Sequence, residues 1–285
     1  MAILDGKQFS IKYRQILKEK VTSLKEKLNK VPGLAVVIIG EDPASKIYVS
    51  NKIKACEEVG ITSKTFRLNE SISQQEAENV IKELAVDEDI DGILVQLPLP
   101  KKFDSGKILQ HIPTEKDVDG LSDTNLGRLL MGEKCHISCT PNGIIKLLKE
   151  YNVEFTGKHA VVIGRSNMVG KPMALLLQSE NCTVTMCHSK TKNLEFYTKN
   201  ADILVVAIGK DRFIDGSMIK EGAVVVDVGM NRVDGKLYGD VEFNSASQVA
   251  SLITPVPGGV GPMTVTMLMH NTVTAFIRKH LQDEL

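Results

Sequence analysis

Phe9, Tyr13, Ile16, Leu17, Val21, Leu24 and Leu28 recur at steps of three and four, which predicts one long amphipathic helix near the start of the chain. After Pro32-Gly33 the run Leu34–Ile39 is apolar at every position and stops at Gly40, as a strand buried on both faces would. A helix from about Pro43 to Val59 follows, with proline near the start, where a missing N–H costs nothing. Thr62–Leu68 reads as a strand, Ser73–Ala85 as a helix and Gly92–Val95 as another buried strand. Apolar strands alternating with helices indicate a parallel sheet covered by helices.

Strand-like runs are absent between about Lys101 and Pro141, and the alternation then restarts. It gives a helix Asn142–Glu150, a strand Ala160–Ile163, a helix Val169–Gln178 and a strand Thr183–Cys187. Strands Ile203–Ala207 and Val224–Val228 follow, and a last helix runs from about Met263 to His280. The fold class is therefore α/β, with two α/β domains in series. Their boundary is set at 1–120 and 121–285, within a transition near 120–140. The last helix, about 263–281, is available to pack back on the first domain.

A length of 285 residues agrees with two domains at about 150 residues each. The 42% hydrophobic content is enough for a core in each. Thirty-five basic and 35 acidic side chains cancel, so there is no surplus for nucleic acid or an anionic membrane, while small anions stay open as ligands. No secretory signal is visible at the start, and no apolar run approaches the roughly 18 residues of a membrane helix. Five cysteines without a framework spacing suit a reducing cytoplasm. Cys135-His136-x-x-Cys139 has no second ligand pair at zinc spacing, so free thiols and no metal are expected. Gln282–Leu285 looks like a retention signal but has no entry signal to serve, and reads as a frayed acidic end. The expected location is cytoplasmic.

Gly164-Arg165-Ser166-Asn167-Met168-Val169-Gly170 lies between a strand and a helix, where a dinucleotide pyrophosphate is held by glycine turns and helix N–H groups. Ser166 stands at the second glycine position and Gly170 comes one residue late, so the turn alone is a weak match to a Rossmann-type domain. At the end of the next strand, where NAD binders place an acid, stand Ser189 and Lys190. The missing acid and the guanidinium of Arg165 favour NADP over NAD.

Tyr48 and Lys52, four apart on the second helix, share one face with Ser45 a turn earlier. A lysine titrates at about 10.4 in water and acts as a base near neutrality only if a closed site lowers that by about 3. Gln96 stands just after the strand Gly92–Val95, at the strand end where α/β proteins place ligands. Asp117 and Asp119 add two carboxylates on a loop, either of which can accept two parallel N–H bonds from an aminopyrimidine edge. The Gly- and Pro-rich stretch Thr254–Thr264 is a stiff loop that permits close ligand approach.

Together these segments resemble the bifunctional 5,10-methylenetetrahydrofolate dehydrogenase/cyclohydrolase family. The likeness spans nearly the whole chain, through Tyr48–Lys52, Val95-Gln96-Leu97-Pro98, Lys116–Leu121, Cys139-Thr140-Pro141-Asn142-Gly143, Gly164-Arg165-Ser166, His188-Ser189, Asp227-Val228-Gly229 and Pro255–Thr264. Ser138, where proline is usual before the cysteine, is the one visible departure and touches no catalytic position. The resemblance implies a homodimer of two-domain subunits with a folate cleft between the domains, active in one-carbon metabolism on tetrahydrofolate derivatives. It implies Lys52 as catalytic acid/base, with Tyr48, Gln96 and Asp119 in the catalytic set. Ser45, Tyr48, Val95, Gln96, Leu97, Asp119, Pro257, Gly258, Gly259 and Gly261 would bind substrate. Gly164, Arg165, Ser166, Ser189 and Met230 would hold NADP.

Short-chain dehydrogenases also place Tyr and Lys four apart, but there the pair follows the glycine turn within one domain. Here it precedes the turn by more than a hundred residues. An enzyme with one of the two activities, or a non-catalytic folate or nucleotide binder, remains as an alternative.

Overall fold

Every residue of the strand Gly33–Ile39 is buried, because it is the centre of a parallel sheet with Thr62–Leu68 on one side and Gly92–Val95 on the other. Each fully buried valine or isoleucine in such a strand stabilises the fold by about 1.5–3 kcal/mol relative to exposure. The computed structural model describes residues 2–281, so the tail Gln282–Leu285 lies outside the described residues. The edge strand Thr62–Leu68 has no buried residue, as its alternation of polar side chains requires.

The helix Pro43–Val59 connects the first two strands of this sheet, and local chemistry sets both of its ends. Asp42 accepts a hydrogen bond from the backbone N–H of Ser45 at 2.7 Å, and Pro43 takes the first position. Gly60 ends the helix in the left-handed region at φ 89°. Under the sheet Ile81, Ile90, Ile93 and Ile108 form a core at or below 1% exposure.

The second sheet has six parallel strands, in the order Ala2–Ile3, Leu252–Ile253, Val224–Asp227, Ile203–Val206, His159–Ile163 and Thr183–Cys187. Its central strand Ile203–Val206 is buried throughout. The helix Gly170–Ser179 joins His159–Ile163 to Thr183–Cys187, the β-α-β unit expected around the glycine turn.

Two units result: Lys12–Cys139 with Val265–Leu285, and Met1–Ile11 with Thr140–Thr264. The break therefore falls nineteen residues later than the sequence boundary at 120/121. The reason is local: Asn125 and His136 are hydrogen-bonded back to the 114–117 segment, which holds residues 121–139 with the first sheet. The first residues group with the six-stranded sheet because Ala2–Ile3 pairs with Leu252–Ile253. The stretch without strand-like runs holds two short helices, Ser105–Leu109 and Asp123–Met131. Among the described residues no helix is long and apolar enough to cross a membrane.

Candidate active site

Helix Pro43–Val59 carries Lys52, and Nζ of Lys52 donates to Oε1 of Gln96 at 2.9 Å. Gln96 is 9% exposed and follows the buried strand Gly92–Val95. Its own Nε2 donates to the Leu97 carbonyl at 2.6 Å, so the amide cannot turn away and its oxygen stays toward the lysine. Val95 is buried beneath this point. Tyr48, one turn before Lys52, is 37% exposed. Ser45 is buried, and its backbone N–H serves the helix cap.

Burial lowers the pKa of Lys52, while the charge of Asp119 and a smaller influence of Cys139 oppose that shift. Burial raises the pKa of Asp119, against the attraction of Lys52. Desolvation thus drives both groups toward their neutral forms, and their mutual attraction restrains it. A lysine so placed is a better proton acceptor near neutrality than one in water.

The two neighbouring aspartates have different fates. Asp117 is taken up by the loop itself: its carboxylate accepts from the backbone N–H groups of Gly120, Leu121 and Ser122 and from Nδ2 of Asn125. The expectation that either could receive a ligand therefore narrows to Asp119. Gly120 is in the left-handed region at φ 69°, and a Cβ there would lie 2.6 Å from backbone of residues 137 and 138, so the turn requires glycine.

Two residues of this cluster escaped sequence reasoning. Cys139, whose pKa burial holds well above the ordinary range, donates its S–H to the Val118 carbonyl at 3.4 Å beside Asp119. Asn271 donates through Nδ2 to the carbonyls of Val118 and Ile137 at 2.8 and 2.9 Å, tying together the loops on both sides of Asp119. An asparagine on the last helix, between the apolar Met267-Leu268-Met269 and Val273, was the available signal. His136 donates from Nε2 to the Glu115 carbonyl at 3.1 Å. Among the described residues no group of three His, Cys, Asp or Glu side chains could hold a metal ion.

In the other unit, Gly164 follows the strand His159–Ile163 at φ 131°, and a Cβ on it would lie 2.3 Å from the Ala207 carbonyl oxygen. A Cβ on Gly170, the first residue of its helix, would lie 2.2 Å from the Gly164 carbonyl oxygen. Gly164 therefore allows close approach to the neighbouring strand's end at Ala207, and Gly170 allows the helix start to approach Gly164. Arg165 and Ser166 are exposed, and Oγ of Ser166 accepts from the N–H groups of Val169 and Gly170 at 3.2 and 3.4 Å. Ser189 is exposed just after the strand Thr183–Cys187, and Met230 is 42% exposed.

Asp227, at the end of its strand, accepts from the backbone N–H groups of Gly229, Asp240 and Val241. Asp240 in turn gathers the N–H groups of Ile208, Gly209 and Lys210 at 2.6 to 2.9 Å and the side chain of Asn231. These two buried carboxylates shape the loops after the strands Ile203–Val206 and Val224–Asp227. The same unit holds the loop before the last helix, which begins at Val260, so Gly261 lies in its first turn. Pro257 is exposed; Gly258, at φ 108°, accepts from the Lys7 N–H through its carbonyl. Gly259 is buried against Pro255 and Thr254.

Residues 4–119 match the family model described as tetrahydrofolate dehydrogenase/cyclohydrolase, catalytic domain, and residues 138–280 match its NAD(P)-binding domain. The bifunctional protein FolD of Lactococcus lactis subsp. cremoris is 56% identical over 98% of this chain and 98% of its own length. The crystal structure of the bifunctional enzyme FolD, methylenetetrahydrofolate dehydrogenase/cyclohydrolase, from Campylobacter jejuni superposes with a TM-score of 0.96 at 48% identity, covering 98% of this chain and 99% of that one. The Trypanosoma brucei enzyme, complexed with NADP cofactor and inhibitor, gives 0.94 at 37% identity, covering 98% of each chain.

Proposed function

The chain belongs to the tetrahydrofolate dehydrogenase/cyclohydrolase family, and from that premise we infer how its own residues divide the work. It is a bifunctional enzyme that oxidises 5,10-methylenetetrahydrofolate to the 5,10-methenyl form with NADP and hydrolyses that product to 10-formyltetrahydrofolate. The observation that carries the assignment of roles is the bond from Lys52 to Gln96 at 2.9 Å, in a buried place where Asp119 opposes the loss of the lysine's charge.

NADP, when bound, supplies the hydride acceptor for the first step. The residues present fit it: two glycines close the strand–helix turn, and the exposed Arg165 guanidinium in that turn suits a ribose phosphate. In this reading Gly164, Arg165, Ser166, Ser189 and Met230 hold the cofactor. The loops shaped by Asp227 and Asp240 support it.

Oxidation leaves a methenyl cation, and a lysine driven toward neutrality by burial repels that cation less than a full ammonium would. Water then adds to the methenyl carbon, forming a C–O bond and releasing a proton. Lys52, aimed by Gln96, accepts that proton and returns one to the ring nitrogen as the C–N bond opens. Asp119 receives the N–H edge of the pterin, and Tyr48 stands at the exposed side of Lys52. Ser45, Val95 and Leu97 complete the substrate residues of this unit, and Pro257, Gly258, Gly259 and Gly261 are assigned to substrate in the same reading.

A homodimer in the cytoplasm belongs to the same reading, supported by the family likeness and by five cysteines in the thiol form. One time course tests the activities: with 5,10-methylenetetrahydrofolate and NADP, absorbance should report methenyl formation followed by its decay to 10-formyltetrahydrofolate. Reduction of NADP without that decay would leave the second activity unsupported.

A further inference from the structure

The strand Gly92–Val95 has Gln96 after its carboxyl end and Asp91 before its amino end, and a cavity opens beside Asp91. It measures about 540 Å³, within the range of small-molecule sites, and lies wholly within the unit that carries Lys52. We propose that this cavity binds a protonated phosphate-type anion, such as hydrogen phosphate or the monoanion of a phosphomonoester, through Arg128, Arg278 and His136.

Charge is the first observation. Lys116, Arg128, Lys134, Arg278 and Lys279 line the cavity against Asp91 and Glu115, which leaves an excess of three positive charges. Two of the lysines have structural work. Lys116 donates to the Asp87 carbonyl at 2.8 Å beyond the end of the helix Gln74–Val86, and Lys279 donates to the Glu88 carbonyl at 2.6 Å. The two arginines are committed less. Arg278 makes one bond, at 3.3 Å to the Cys135 carbonyl, and the Arg128 guanidinium makes no hydrogen bond or ion pair among the described residues. Both are half-buried, and both charges are felt at the Cys135 thiol. A half-buried guanidinium with open donors matches the paired oxygens of a phosphate.

The second observation is independent of charge. His136 is 2% exposed, and its Nδ1 has no hydrogen-bond partner. Because Nε2 faces a carbonyl oxygen, that nitrogen carries the hydrogen and Nδ1 presents a lone pair. Burial, reinforced by Arg278, lowers the pKa of the ring to about 4, so it is neutral at physiological pH. A buried acceptor without a donor is costly. The ligand that suits both features is an anion that still carries a proton, a description hydrogen phosphate meets and sulfate does not.

The cavity also connects to the Asp119 loop. The His136 N–H donates to Oδ1 of Asn125, whose Nδ2 donates to Asp117, the carboxylate that holds the turn after Asp119.

Calorimetric titration of the full-length protein, saturated with NADP so that Arg165 is occupied, tests the proposal with inorganic phosphate and with sulfate at pH 6. Phosphate should bind saturably and about tenfold more tightly than sulfate, the effect of satisfying one buried acceptor. Arg128→Gln should weaken phosphate by about tenfold, the loss of a charge-assisted bond, and leave the dehydrogenase rate unchanged. His136→Gln should bring phosphate and sulfate together. No saturable phosphate binding, equal affinity for the two anions in the wild type, or undiminished binding in Arg128→Gln would overturn it.

Discussion

The Lys52 cluster and the glycine turn both stand at the carboxyl ends of parallel strands, yet they are made of different material. Lys52, Gln96 and Asp119 form a group of side chains whose function depends on burial and on one another's charge. The turn at 164–170 is made of backbone, with two glycines at contact distance and its polar side chains in solvent. A site built from side chains loses chemistry on substitution while its frame survives. A turn built from backbone loses its shape to a single methyl group.

That contrast predicts a graded series of effects. Lys52→Met should show the largest: methenyl hydrolysis should fall by about 10²–10⁴-fold, the usual contribution of a positioned acid/base, with part of the hydride transfer retained. Separate assays of the two steps check it, and wild-type-like hydrolysis would remove the role given to Lys52. Gly164→Ala should lower the unfolding free energy by about 2–4 kcal/mol, because its Cβ meets backbone at 2.3 Å. Denaturant titration reads that loss, and an unchanged midpoint would show that the turn tolerates a side chain.

Arg165→Ala should raise the NADP constant by about 10–100-fold, the value of charge-assisted bonds to one phosphate, and leave any NAD constant nearly unchanged. Equal effects on both cofactors would contradict phosphate recognition by this residue. The smallest effect is expected from Asp240→Asn, which keeps an acceptor but removes the charge that gathers three N–H groups. The NADP constant should rise by about three- to tenfold with methenyl hydrolysis unaltered. A matching loss in hydrolysis would mean that the residue acts on the whole fold and not on the cofactor loops.

The parts of this molecule legible in the sequence are those with local causes. Gly33–Ile39 announced itself by unbroken apolar character, and the helix Pro43–Val59 by the proline at its start. The strands Ala2–Ile3 and Leu252–Ile253 could not be read, since two residues show no period and exist only through pairing 250 positions apart. The hairpin of Asn231–Val233 with Lys236–Tyr238 did carry a signal, in the Asp234-Gly235 turn at φ 49° and 78°, but its strands are only three residues long. In the site, Lys52 and Gln96 were legible because helix spacing and strand ends have known directions. Asp117 and Asp119 look equivalent by residue type and position; the resemblance singles out Asp119, and the loop N–H groups that occupy Asp117 give a physical reason. Asp240 has three partners about thirty positions away, and no local pattern marks it.

The central claim is that burial prepares Lys52 to exchange a proton while Asp119 limits how far its charge is lost. The most direct measurement is the titration of Lys52 itself, by NMR of the full-length protein with labelled lysine and the resonance assigned through Lys52→Met. The account predicts that Lys52 gives up its proton below the ordinary lysine value of 10.5, ahead of the exposed lysines. Titration at or above that value would mean that the attraction of Asp119 outweighs burial, and would contradict the role of Lys52 as proton acceptor.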